Sequence, residues 1–181
     1  MRFQYKYLFS ALALCEILVA CGPTENSEKH FPSANYHYTD IDTSNMMVFG
    51  RVYVPAYSDI YQTDGTRRFS LTATLSIRNV GFTDTVYIYS IDYYDSHGKL
   101  LRKYAEKTLM LLPLESLEFV VEGKENKGGA GANFIVEWTA ARQVHNPLIQ
   151  TVMIGTEERQ GISFCTDGVL TDYYEKPTIE F

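Results

Sequence analysis

Phe69-Ser70-Leu71-Thr72-Ala73-Thr74-Leu75-Ser76-Ile77-Arg78 alternates apolar with small polar residues over ten positions. Successive side chains of an extended strand point to opposite faces, so this period of two describes a strand with one buried face. Leu71, Ala73, Leu75 and Ile77 are expected to face a core, with Thr72, Thr74 and Ser76 on the opposite side.

The neighbouring stretches repeat the pattern. Asn79 to Asp84 carries turn chemistry, and Thr85 to Tyr94 is again rich in β-branched and aromatic residues. Asp95-Ser96-His97-Gly98 reads as a hairpin turn before Lys99 to Tyr104. Thr108 to Leu112 and Ser116 to Glu122 flank a break at Pro113-Leu114-Glu115. After a glycine-rich stretch from Gly123 to Gly131, Ala132 to Ala140 places Phe134, Val136 and Trp138 on one face. Val48 to Val54 upstream, and Leu148 to Gly155 and Ile162 to Val169 downstream, complete the set. No long amphipathic helix interrupts it. The fold expected is all-β, an antiparallel immunoglobulin-like β-sandwich of about 7–9 strands.

The first twenty residues are of another kind. Arg2 and Lys6 make a basic start, and Tyr7 to Ala20 is mostly apolar but too short to span a bilayer. Glu16 inside this segment costs roughly 2.5–3.5 kcal/mol on insertion scales, which the flanking leucines offset. Leu18-Val19-Ala20-Cys21 resembles the lipobox of bacterial lipoproteins. That resemblance implies cleavage after Ala20 and acylation of Cys21, so that acyl chains hold the protein on a membrane of the cell envelope. Gly22 is not the aspartate that retains many lipoproteins at an inner membrane, which favours the outer one in a cell with two. The division expected is a signal peptide over 1–20, a lipidated cysteine and flexible tether over 21–45, a sandwich over 46–170, and a C-terminal tail over 171–181.

Composition bounds the rest. At 45% hydrophobic and 21% charged, this is an ordinary globular chain. Its net charge is −6, and a cut before Cys21 leaves 14 basic against 21 acidic residues. Such a surface disfavours nucleic acid as a partner. Cys165 would be the one thiol left beside acylated Cys21, so no internal disulfide is expected, and the residue reads as a small strand position.

Several blocks together carry a family resemblance: Val52-Tyr53-Val54-Pro55-Ala56-Tyr57-Ser58, Ala73 to Asn79, Asp92 to Leu100, Gly129 to Trp138 and Met153 to Thr156. In this order they resemble the bacterial family called domain of unknown function 3124, over about residues 46–170. The family brings no established activity. Leu71 to Phe119 is also similar to the immunoglobulin-like modules of bacterial lipoproteins, which bears on fold and not on function.

No motif nominates a reaction. Gly128-Gly129-Ala130-Gly131 lacks the following helix and the Gly-Lys-Ser/Thr ending of a phosphate loop. It reads first as a mobile hairpin connection and second as a ligand-contacting loop. His30, His37, His97 and His145 are not at metal-binding spacing, and no Gly-x-Ser-x-Gly elbow occurs. No catalytic residue, metal or cofactor is called for. The expected role is a membrane-tethered binding or scaffolding module with an envelope protein or glycan as partner. Its candidate contacts are Lys124, Asn126, Gly129, Gly131 and Asn133. The alternative is an envelope hydrolase acting on glycan or peptide through carboxylates such as Asp59, Asp92 and Glu137. Fourteen tyrosines, clustered at Tyr53-Tyr57-Tyr61, Tyr87-Tyr89, Tyr93-Tyr94 and Tyr173-Tyr174, suit strands and equally suit a recognition surface.

Overall fold

The structure is a computed structural model that describes residues 36–122, 127–156 and 161–177. The signal segment, Cys21 and most of the expected tether lie outside the described residues. Thirteen strands follow in chain order among the described residues: β1 (His37–Thr39), β2 (Val48–Pro55), β3 (Asp59–Gln62), β4 (Arg67–Ser70), β5 (Thr72–Arg78), β6 (Val86–Tyr94) and β7 (Leu100–Lys103). The second half holds β8 (Thr108–Leu111), β9 (Ser116–Val121), β10 (Asn133–Ala140), β11 (Leu148–Gly155), β12 (Ile162–Asp167) and β13 (Val169–Glu175).

All pairings are antiparallel. One sheet runs β1-β8-β6-β10-β2-β13, with β7 also paired to β6; a second runs β12-β11-β5-β9; β3 and β4 form a separate hairpin. Consecutive strands β5 and β6 lie in different sheets, as do β9 and β10, so β5 sits beside β9 while β6 sits beside β10. This interleaving is the one by which immunoglobulin-like sandwiches bury a core between two layers. Neither sheet closes into a barrel.

Alternation along the strands builds that core. Leu71, Ala73, Leu75 and Ile77 are fully buried, and they join Phe134, Val136 and Trp138 from the opposite sheet in one hydrophobic cluster. Among the described residues the buried hydrophobic side chains all lie between Met46 and Met153. Thr151 and Thr166 stitch the layers at one edge, both donating their hydroxyls to the Pro55 carbonyl.

Four details depart from the pattern expected. The ten-residue run from Phe69 is two strands, because the Leu71 N–H leaves the ladder and donates to the Ser58 carbonyl (2.8 Å), passing the chain from the β3–β4 hairpin into the second sheet. Strands number thirteen among the described residues where about 7–9 were expected, the short β1, β3 and β4 and the edge strand β13 adding to the count, while Ser76 keeps its expected place on the outer face, buried there and accepting a hydrogen bond from Arg78 Nε (3.1 Å). The stretch expected as a tail from residue 171 is largely strand β13, whose side chains are all exposed. Its order comes from backbone pairing with β2, which leaves no buried face to register as an apolar pattern. His37–Thr39, expected in the tether, pairs with β8.

The outer edge of β9 is guarded by tyrosine. Tyr36 Oη donates to the Glu118 carbonyl (2.7 Å) and Tyr104 Oη to the Val120 carbonyl (3.3 Å), with both rings packed on Phe119. These hydroxyls occupy carbonyls that an open strand edge would offer to another chain.

Candidate functional site: the tyrosine face of the large sheet

Residues of the large sheet that alternate with its core positions form an outward face across β6, β10, β2 and β13. On β2, Val48, Val52 and Val54 point inward, which turns Phe49, Arg51 and Tyr53 outward. The same parity turns out Asn133, Ile135 and Glu137 on β10 and Asp92 and Tyr94 on β6. A bulge between β6 and β10 pairs Glu137 with Ser90 but Trp138 with Ile88, leaving Tyr89 as the extra residue. Bulges re-aim side chains, and this one brings Tyr89 beside Glu137 and Arg51.

Charges organise the middle of the face. Arg51 takes Glu137 on one side (2.8 Å) and Asp172 of β13 on the other (3.0 Å), tying three strands together. The hydrogen bond and charge of Glu137, then the charge of Asp172, hold the Arg51 guanidinium in its protonated form more firmly than usual. Burial pushes the Tyr89 phenol above its ordinary value, with the Glu137 charge adding to the shift and Arg51 opposing it. Tyr89 therefore keeps its proton and stays available as a donor. Phe49 packs against Tyr174 at 6.3 Å between centroids, and Phe49, Arg51, Tyr89, Glu137, Asp172 and Tyr174 line a shallow depression of about 330 Å³. Aromatic rings here alternate with groups that donate and groups that accept.

The carboxylates considered for catalysis do not share a cavity. Asp59 is buried at the start of the β3–β4 hairpin and paired with Arg68 (3.1 Å). Asp92 pairs with Lys103 (3.4 Å), and Glu137 with Arg51. Asp92 and Glu137 do stand on one face, two register steps apart on neighbouring strands, but on an open surface and each with its own cation. Among the described residues no group of three or more His, Cys, Asp or Glu side chains is arranged to hold a metal ion. Cys165 is exposed on β12.

Lys124 and Asn126 of the expected loop site lie outside the described residues. Its glycines are clamped, and the loop crosses between sheets rather than closing a hairpin, because β9 and β10 belong to different layers. Gly129 N–H donates to Ser58 Oγ (2.7 Å), Gly131 N–H donates to Ser96 Oγ (2.9 Å), and Ser96 Oγ donates to the Gly128 carbonyl (2.9 Å). Gly129 has φ +80°, and a β-carbon at Gly128 would overlap the Tyr93 hydroxyl, so these glycines answer to packing. Of the expected contacts among the described residues, Asn133 reaches the tyrosine face, in register with Tyr94 on one side and Pro55 on the other. From the tyrosine clusters, Tyr53, Tyr89, Tyr94 and Tyr174 stand on this face, whereas Tyr93 is buried in the core. Which of them meet depends on the strand order β6-β10-β2-β13, and no local pattern encodes that order.

Comparison with known proteins places the chain as follows. No curated protein matches it. A solved structure described as that of Thermotoga maritima 1070 is similar at a TM-score of 0.39 and 15% identity, covering 66% of this chain and 92% of that one. Over residues 50–170 the chain matches the family described as protein of unknown function (DUF3124), and it belongs to that family.

Proposed function

We propose that the protein is a membrane-tethered binding module of the cell envelope that takes a glycan chain on the tyrosine face of its large sheet. The observation that carries this reading is the composition of that face. Phe49, Tyr53, Tyr89, Tyr94 and Tyr174 come from three strands, β2, β6 and β13, and Arg51, Asp92 and the β10 residues Asn133 and Glu137 stand among them. A sugar ring presents C–H groups on its flat sides and hydroxyls around its rim. Aromatic rings cover the former, and a mixture of donors and acceptors satisfies the latter. An open face also suits a polymer, which a closed pocket would exclude. Attachment through acyl chains on Cys21 would hold such a module where envelope glycans are dense.

The experiment is sedimentation of the mature chain with purified envelope polysaccharide, comparing wild type with Tyr53→Ala/Tyr89→Ala and with Thr74→Ala on the outer face of the other sheet. Loss of binding in the double variant alone supports the reading. Equal binding by all three proteins, or none by wild type, sinks it. Labelling with an alkyne fatty acid tests the anchor separately: wild type should label and Cys21→Ser should not.

A further inference from the structure

Two adjoining hollows, which share Arg102, lie along the flank formed by β7 and the residues that follow it. One, of about 620 Å³, is lined by Tyr93, Lys99, Leu100, Leu101, Arg102 and Lys127. The other, of about 450 Å³, shares Arg102 and adds Tyr38, Lys103, Tyr104, Glu106 and Lys107. Five cations thus meet one acid, on a chain whose net charge is −6. Lys103 is held by Asp92 and Arg102 lies over the Tyr104 ring, while Lys99, Lys107 and Lys127 form no ion pair among the described residues. Cations on an edge strand deter edge-to-edge pairing, but that purpose would be met by β7 alone. Lys107 follows β7 and Lys127 comes from the crossing loop, so separate stretches of chain converge on one basic surface.

The same flank receives the N-terminal segment. Tyr38 lines the second hollow, and Tyr36 is bonded to β9 and stacked on Phe119 at 5.3 Å. Tyr36 follows Cys21 by 15 residues. Fifteen residues reach about 50 Å when fully extended, which is the upper bound on the distance from Cys21 to Tyr36. An anchor at Cys21 would therefore hold this flank within about 50 Å of the membrane surface.

We propose that this basic flank docks on the anionic lipid headgroups of the membrane to which the chain is anchored. The proposal rests on the tethered-module reading above and adds an orientation to it: flank toward the lipid, tyrosine face free. Attraction acts only within a Debye length, about 8 Å at physiological salt, so docking is a contact state of the tether and not a long-range pull. Exposed Tyr38 beside the cations suits the interfacial region, where amphipathic rings are enriched.

The test uses the chain from Gly22 onward, which lacks Cys21 and keeps every buried hydrophobic residue of the described fold. Co-sedimentation is measured with vesicles of phosphatidylcholine and of an equal mixture of phosphatidylcholine and phosphatidylglycerol. Binding is expected to the anionic vesicles only and to fall as salt rises. Each cation removed should weaken it roughly fivefold, so Lys99→Gln/Lys107→Gln/Lys127→Gln loses about 100-fold. Arg67→Gln, on β4, should change little, and matching circular dichroism spectra exclude misfolding. Equal partition into both vesicle types, no loss in the triple variant, or retention on soluble polyphosphate without vesicle binding overturns the proposal. Because acylation is read by fatty-acid labelling and glycan binding by sedimentation with polysaccharide, failure here is distinguishable from failure of either.

Discussion

Trp138 on β10 stands in register with Gly50 on β2, and a β-carbon at Gly50 would come within 2.7 Å of three atoms of the indole. The large fully buried ring fits because its partner strand has no side chain there. Gly50→Ala should therefore cost about 1–3 kcal/mol through overpacking. Urea unfolding measures it. A loss below about half a kcal/mol would place the residue with ordinary surface substitutions and mean that the indole is not seated on Gly50.

Ser58 fixes the glycine crossing from beneath. It is fully buried, accepts from the Gly129 N–H and donates its own N–H to the Gly129 carbonyl (3.3 Å). Ser58→Ala leaves the Gly129 amide without its hydroxyl acceptor, at a cost of about 1–3 kcal/mol. Amide exchange at Gly129 should accelerate along with the loss of stability. Unchanged exchange would mean that the loop is held by other contacts.

Leu114 carries the opposite expectation. It sits at φ +60° in the turn Leu112–Glu115, closed by the Glu115 N–H donating to the Leu112 carbonyl (3.1 Å), and its side chain is exposed. A left-handed conformation costs a residue with a β-carbon about 1–2 kcal/mol, of which the greater unfolded-state freedom of glycine returns about 0.5–1 kcal/mol. Leu114→Gly should stabilise the fold by up to about 1 kcal/mol. A thermal melt showing destabilisation would point to a packing role for the leucine.

These three positions mark how far the sequence could be read. Alternation identified most of the longer strands and the inward set of β5, since a buried face writes its period into the residues, but not the short β1 and β3. The family resemblance was carried by blocks such as Gly129 to Trp138 and is matched by the assignment over residues 50–170. Strand β13 went unread because an edge strand exposed on both faces needs only backbone partners. The contact of Gly50 with Trp138 spans 88 residues and the clamp of Ser58 on Gly129 spans 71, so both follow from strand order and not from local pattern. The same limit hid the tyrosine face: Tyr53 and Tyr89 share one face only because β2 and β6 flank β10 on either side.

Asp95 gives the β6–β7 turn a pH dependence. Its carboxylate accepts from the backbone N–H groups of Lys99 (2.9 Å) and His97 (2.8 Å), and these bonds, Lys99 first, hold it below the ordinary value of 3.8. A group whose folded value is depressed contributes stability that is present above its unfolded value and lost as pH falls through the folded one. The turn should stay ordered through pH 3.8 and loosen only below it. An NMR titration following the Asp95 side chain with the His97 and Lys99 amides tests this. A midpoint at or above the ordinary value would remove the basis for it.

Arg51 separates a binding role from a stabilising one. Its side chain is half exposed, and exposed ion pairs add little to folding because solvent screens them and the long side chain loses freedom. Arg51→Gln should accordingly leave the urea midpoint nearly unchanged. The carboxylates of Glu137 and Asp172, which converge on one guanidinium, would then face each other across β2 without a cation between them, and the depression they line with Tyr89 and Tyr174 should open. If the face binds glycan, affinity falls while stability holds, and Arg51→Lys restores only part of it, since an ammonium cannot present two forked donors to two carboxylates at once. If instead the cluster is a structural clasp for β13, the variant loses stability and amide protection along Val169–Glu175 with no separate effect on binding. Measuring the unfolding midpoint, exchange along β13 and glycan sedimentation on one preparation distinguishes the two, because a clasp moves the first two together and a binding residue moves only the third.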